Sequence, residues 1–216
     1  MRFDPDIIRC IELVDAGPHH RPTHASSLLV WYANPGKKVK RVLELGSGTG
    51  VVALAMARLY GVEVVGVEKE RELFERAVQG IRLNGLEGRV SFLNAGVDEL
   101  DLPLESFDMV VSNPPHHFKV ESPYQLRRVT RTLRRTDMEK FIEATFKFLK
   151  NGGTAVYVLS PENLMDWLER FSKFRLEPKR LCFVHGKIDK VSSLVLIKLR
   201  KNGKRGLVVD PPVILS

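Results

Sequence analysis

The chain has 216 residues, 44% of them hydrophobic and 28% charged, which fits a soluble globular enzyme organised as a single domain over residues 1–216. No apolar run is long enough to span a membrane, and the polar start Met1-Arg2-Phe3-Asp4-Pro5-Asp6 does not read as a secretion signal. Lys and Arg total 34 against 26 Asp and Glu, a net charge of +8 that suits a polyanionic partner such as RNA, although the same balance also serves general solubility.

The first 40 residues are expected to form a helical cap, with helices over 7–14 and 26–32 around a polar His19-His20-Arg21-Pro22-Thr23-His24 stretch. Beyond it, strand-like and helix-like segments alternate. Residues 41–45 form a short buried strand that runs into glycines and then an Ala, Leu and Met-rich helix over 51–59. A strand over 62–67 ends at Glu68, and a helix over 69–83 stops at Asn84-Gly85. Strands over 89–93 and 107–112 follow. Residues 121–135 are polar and arginine-rich. Thr136 and Glu139 then make a capping-box pattern that starts a helix with Met138, Phe141, Ile142, Thr145 and Leu149 on one face and Asn151-Gly152-Gly153 at its end. A strand over 154–159, a helix over 163–174 and strands near 181–185 and 193–199 complete the chain. The last two are too close for a crossover helix, so they are antiparallel neighbours. The pattern predicts an α/β fold: a doubly wound, mostly parallel seven-stranded sheet with a C-terminal antiparallel hairpin.

The first chemical signal is Glu44-Leu45-Gly46-Ser47-Gly48-Thr49-Gly50, where glycines let the chain turn sharply and let a ligand approach the backbone. A dinucleotide fingerprint would place its third glycine at position 51, which is Val51, and the Lys of a phosphate-binding loop is missing. Both absences argue against a nicotinamide oxidoreductase and a P-loop enzyme. Glu68 ends the second strand 18 residues beyond Gly50, where a carboxylate can accept hydrogen bonds from both hydroxyls of an adenosine ribose. A solvated strand-end glutamate is the bland alternative, and the glycine loop ahead of it favours bound adenosine.

These residues resemble the class I S-adenosylmethionine-dependent methyltransferases, from about Val42 to the end of the chain. The resemblance implies a Rossmann-like methyltransferase fold and S-adenosyl-L-methionine as cofactor. Glu44, Gly46, Ser47, Gly48 and Gly50 match the loop that wraps the methionine part, and Glu68 matches the ribose acid. Relatives place an acid just after the third strand to meet the adenine amine; here that position is Gly96, with Asp98 nearby, and Val97 joins the cofactor contacts.

Asp108-Met109-Val110-Val111-Ser112-Asn113-Pro114-Pro115-His116 is the most specific signal. An apolar strand delivers Asn113 to its carboxyl end, and two prolines stiffen the loop behind it. A planar amine is a poor nucleophile because its lone pair is delocalised. The Asn113 side-chain oxygen and the Pro114 carbonyl can hold its two N–H groups, orient the lone pair and stabilise positive charge on nitrogen. The motif resembles the (D/N/S)PP(Y/F/W) loop of amino-methyltransferases. The catalytic set is therefore Asn113, Pro114, Pro115 and His116, with Asn113 also touching the cofactor. His116 stands where relatives carry an aromatic ring that stacks on the substrate, with Phe118 as the second choice.

Compact size, the short cap, Ser112-Asn113-Pro114-Pro115 and the 176–181 approach to the hairpin make the chain similar to the bacterial family that methylates adenine N6 in valine tRNA. The resemblance implies RNA, tRNA above all, as substrate. Arg127, Arg128, Arg131, Arg134 and Arg135 would form one stripe if their segment is helical, and Arg127, Arg131 and Arg134 are the proposed phosphate contacts. Protein glutamine N-methylation and ribosomal-RNA guanine-N2 methylation use a similar loop. A non-catalytic RNA-binding module is opposed by Gly46, Gly48, Glu68 and Asn113. His19, His20 and His24 cluster without a thiolate partner or HExxH spacing, so no metal is expected. Cys10 and Cys182, far apart, suggest a reduced cytoplasmic setting with both thiols buried.

Overall fold

A computed structural model of the chain describes residues 3–14, 23–114 and 126–215, and for 126–136 it describes the backbone alone. The strands are β1 (Arg41–Leu45), β2 (Glu63–Glu68), β3 (Val90–Asn94), β4 (Phe107–Ser112), β5 (Leu149–Leu159), β6 (Leu176–His185) and β7 (Ser192–Lys201), with two-residue strands β8 (Val208–Val209) and β9 (Val213–Ile214). The helices are α1 (His24–Ala33), α2 (Val51–Tyr60), α3 (Arg71–Leu83), α4 (Leu126–Phe148) and α5 (Leu164–Lys173).

One sheet runs in the order β3-β2-β1-β4-β5-β7-β6-β8, with β9 also on β6. β1 to β5 are mutually parallel, while β7 is antiparallel to both β5 and β6. The expected seven-stranded α/β sheet with its terminal hairpin is therefore present, extended by the two short strands. From β1 the chain moves outwards to β2 and β3, then returns to β4 on the other side. That reversal leaves a crevice between the carboxyl ends of β1 and β4, the place where open α/β sheets hold ligands.

Apolar side chains fill both faces. Leu28, Leu29 and Val30 of α1 join Leu54 and Met56 of α2 and Ala77 of α3 in one core cluster. Ile142 and Phe148 of α4 and Trp167 and Phe171 of α5 join Leu43, Val110, Tyr157 and Ile197 in the other. Lys201 lies beneath α4, only 3% exposed, and its ammonium donates to the carbonyls of Phe146 and Leu149 at 2.6 and 2.8 Å and to Glu105 Oε1 at 2.7 Å. A cation at the last carbonyls satisfies the orphan acceptors of a helix end and complements its dipole.

Four expectations change. α4 begins at Leu126, ten residues before Thr136, so Thr136 lies inside the helix and does not cap it. Residues 126–135 contain good helix formers and neither Gly nor Pro, and the helix runs through them. α4 ends at Phe148, and 149–153 already belong to β5, with Gly152 at φ +70°. Near the amino terminus, only a 3-10 turn over Ile7–Cys10 forms in place of a helix over 7–14. Cys10 is exposed and Cys182 buried, so only one of the two thiols behaves as a small hydrophobe.

Candidate active site

β1 and β4 pair in register from Val42↔Met109 to Leu45↔Ser112, so Gly46 and Asn113 leave adjacent strand ends at the same level. Glycine is needed at position 46 because its φ is +74°. The loop is then tied to the end of β2: the Gly46 and Ser47 amides both donate to the Val67 carbonyl, at 3.0 and 2.8 Å.

Glu68, 7% exposed, closes this arrangement. Its Oε2 accepts the Gly48 amide at 2.7 Å and its Oε1 accepts the Glu70 amide at 2.9 Å. Each carboxylate oxygen has a second lone pair, so Glu68 shapes the glycine loop and keeps acceptor capacity for two hydroxyls. Beside it, Asn94 Nδ2 donates to the Glu68 and Lys69 carbonyls at 2.9 and 3.0 Å, which fixes the start of the 95–98 loop.

These loops enclose a cavity of about 330 Å³. Its cofactor-side wall is Gly46, Gly48, Val67, Glu68, Lys69 and the 95–98 loop, and its far end carries Asn113, Pro114, Ser160, Asn163 and Trp167. Met138 and Phe141 of α4 line it as well. Phe141 stands 3.5 Å from where a Cβ on Gly46 would be. Asp98, the acid close to the Gly96 position where relatives meet the adenine, lines the cavity and pairs with Lys140 at 2.8 Å. The Lys140 ammonium holds the Asp98 carboxyl below the usual carboxylate range.

The cavity thus gathers six of the sequence-derived site residues: Gly46, Gly48, Glu68, Val97, Asn113 and Pro114. Glu44, Ser47 and Gly50 stand behind it. The Glu44 carboxylate, 3% exposed, accepts the Ala53 amide at 2.9 Å and so serves as a remote cap for α2, whose own N-cap Gly50 has no side chain to offer. Burial pushes the Glu44 carboxyl well above its ordinary value, the Ala53 amide opposes this, and the nearby Glu68 charge adds to it. Gly50 is a packing glycine: a Cβ there would meet the Phe92 ring at 2.5 Å and Ala77 at 3.0 Å. Ser47 Oγ is buried without a hydrogen-bond partner among the described residues.

Pro115, His116 and Phe118 lie outside the described residues, as do His19 and His20. Arg127, Arg131 and Arg134 lie on the described backbone of α4, but their side chains are outside the description. Sequence reasoning missed Ser160, Asn163 and Trp167, which reach the site only because β5 is the neighbour of β4. Among the described residues no group of three His, Cys, Asp or Glu is placed to hold a metal, and no helix is long and apolar enough to cross a membrane.

The donor set fits S-adenosylmethionine. A buried acceptor-only carboxylate faces the cavity for ribose hydroxyls, glycines at 46 and 48 open the backbone, and Val97, Met138 and Phe141 supply an apolar wall. A methyltransferase domain family model matches residues 42–136. Over 176 residues the chain is 24% identical to a tRNA1(Val) (adenine(37)-N6)-methyltransferase from Flavobacterium johnsoniae, covering 80% of this chain and 75% of the relative. The tRNA (m1A58) methyltransferase of Aquifex aeolicus superposes with a TM-score of 0.64 at 18% identity, over 93% of this chain and 76% of that one. The geranyl diphosphate C-methyltransferase of Streptomyces coelicolor A3(2), solved with Mg2+, geranyl diphosphate and S-adenosyl-L-homocysteine, superposes with a TM-score of 0.62 at 12% identity, over 82% of this chain and 78% of that one. The chain is an S-adenosylmethionine-dependent methyltransferase of the class I fold, similar over most of its length to the tRNA1(Val) (adenine(37)-N6)-methyltransferases.

Proposed function

We propose that the chain methylates the exocyclic amine of adenine in RNA, with tRNA the foremost substrate, and that Asn113 and Pro114 hold that amine. The observation that carries this reading is that Asn113 and Pro114 share one cavity with Gly46, Gly48 and Glu68. The cofactor supplies an electrophilic methyl group on a sulfonium centre. Glu68 accepts the ribose hydroxyls, and the 95–98 loop borders the adenine. The Asn113 side-chain oxygen and the Pro114 carbonyl accept the two N–H groups of the acceptor amine. This turns the nitrogen lone pair towards the cofactor side of the cavity and stabilises the positive charge that develops there. No strong base is needed before transfer, because the amine loses its proton once it has become cationic. His116, with Phe118 behind it, is the proposed stacking surface.

Support for RNA comes from the +8 charge and from relatives that are named tRNA methyltransferases. In the same reading residues 1–40 are a cap on a single methyltransferase domain, and the enzyme works in the cytoplasm among its RNA substrates. The test is methyl transfer from labelled S-adenosylmethionine to total RNA and to total protein, followed by nucleoside and amino-acid analysis. N6-methyladenosine is the expected product. N2-methylguanosine or methylglutamine would replace the adenine assignment.

A further inference from the structure

Ser160 and Asn163 both occupy helix-cap positions at the carboxyl end of β5. Ser160 precedes the 3-10 turn Pro161–Asn163, and Asn163 precedes α5. Ser and Asn are among the residues best suited to capping, because a side-chain oxygen there can accept an orphan amide, a bond worth about 1 kcal/mol. Neither side chain makes its cap bond. No hydrogen bond from either side chain to another described residue is present. Both residues line the cavity that Asn113 lines.

Trp167 is 5% exposed and stacks on Phe171 at 5.4 Å between ring centroids and 28° between planes. It also meets Tyr157 at 5.6 Å. β4 and β5 are paired from Phe107↔Leu149 to Ser112↔Tyr157, so the loop after β5 rises beside Asn113. An amide and a hydroxyl, each able to donate and accept, therefore share the cavity with the residue assigned to the acceptor amine.

We propose that Ser160 and Asn163 form the base-reading edge of the acceptor subsite, hydrogen-bonding the ring nitrogens of an aminated heteroaromatic base whose exocyclic amine Asn113 holds. This rests on the function proposed above. The two N–H groups of an adenine amine are taken by Asn113 and Pro114. The base then presents ring-nitrogen acceptors, and the Asn163 Nδ2–H donors and the Ser160 hydroxyl match them. A base with a protonated ring nitrogen beside its carbonyl would oppose donor to donor.

The test uses the full chain and RNA oligonucleotides carrying adenosine, 1-deazaadenosine or 7-deazaadenosine at the target position. Asn163→Ala and Asn163→Asp are each expected to lower kcat/KM on adenosine RNA about tenfold, with affinity for S-adenosylhomocysteine unchanged. Asp is an excellent cap, so a merely structural Asn163 predicts a fully active, equally stable Asn163→Asp enzyme, and that result overturns the proposal. On the analogue that lacks the nitrogen being read, the intact enzyme should fall by the same factor and Asn163→Ala should fall no further. Losses that multiply independently on both analogues also overturn it. If the intact enzyme methylates RNA and Asn163→Ala matches it, the subsite fails while the RNA assignment stands. If the intact enzyme methylates no RNA, both fall together.

Discussion

Ser112 donates its hydroxyl to the Leu45 carbonyl oxygen at 2.9 Å, joining the last residues of β4 and β1, which also pair in register. The two loops that build the site, one beginning at Gly46 and the other at Asn113, therefore start from strand ends clamped by a fully buried side chain. Ser112→Ala removes that clamp. A lost neutral hydrogen bond costs about 1 kcal/mol, or about 3 °C in melting temperature for a domain of this size. Turnover should fall further than this stability change implies, because Asn113 shifts relative to the glycine loop. Calorimetry and single-turnover rates check it, and an unchanged rate would show that the strand pairing alone sets the spacing.

Glu68 bonds both the Gly48 and Glu70 amides, so its removal should damage the cofactor site twice: an acceptor for ribose is lost and the glycine loop loosens. Glu68→Ala is expected to weaken S-adenosylhomocysteine binding at least about a hundredfold, and Glu68→Gln, which keeps one oxygen, by less. Nicotinamide dinucleotides should not bind the intact chain. Titration calorimetry on the three proteins measures all of this; equal affinity for Glu68→Ala and the parent chain would remove Glu68 from the site.

Glu44 makes a pH prediction whose sign is opposite to that of an ion-paired carboxylate. Burial raises its folded pKa above the ordinary 4.5, with Glu68 adding repulsion. The folded state then holds the proton more tightly than the unfolded state. Its contribution to stability is complete below the unfolded pKa and is lost as pH rises through the folded one. Glu44→Gln retains an oxygen for the Ala53 amide without a charge to bury. The variant's advantage in melting temperature should be absent below the unfolded pKa and grow as pH rises above it, levelling off once the folded pKa is passed. Parallel melting curves across that range would mean that Glu44 is not a desolvated carboxylate.

Asn113→Ala separates chemistry from binding. The side-chain oxygen is assigned to a charge that develops only as the amine is alkylated, so kcat should fall about a hundredfold while cofactor affinity stays within a factor of two or so. Rapid-quench kinetics on the methylated RNA make the distinction. Equal losses in kcat and in cofactor affinity would instead point to a collapsed cavity.

The strands that carry the site were legible in the sequence because their chemistry is local. Residues 41–45 and 107–112 are apolar runs stopped by Gly46 and by Asn113-Pro114, and both match β1 and β4 to the residue. What escaped depends on partners distant in the chain. Gly50 reads as a ligand-loop glycine, and besides its φ of +80° the distant Phe92 on β3 excludes a side chain there. Thr136 and Glu139 satisfy a capping pattern. Glu139 instead lies 3.5 Å from Arg170 of α5, and the helix had already begun at Leu126. Asn163 looks like an ordinary helix start until β5 is known to lie beside β4.

The arginine segment gives the last prediction. The backbone of α4 is helical from Leu126, so positions 127, 131 and 134, at offsets of 0, 4 and 7, share one face of the helix. The same helix carries Met138 and Phe141 to the cavity, so the proposed arginine contacts stand on an element that also lines the site. Guanidinium groups bind phosphate oxygens through a planar fork, and each contact releases counterions on binding. Replacing Arg127, Arg131 and Arg134 together by Gln should weaken RNA binding and reduce the slope of log affinity against log salt by about two. Affinity for S-adenosylhomocysteine should not change, because the cofactor end of the cavity is built from the loops after β1, β2 and β3. Filter binding or fluorescence anisotropy over a series of salt concentrations measures the slope directly. A triple variant with the parent slope and parent affinity would make this face an ordinary solvated one, and the track for the RNA backbone would have to be sought on another surface.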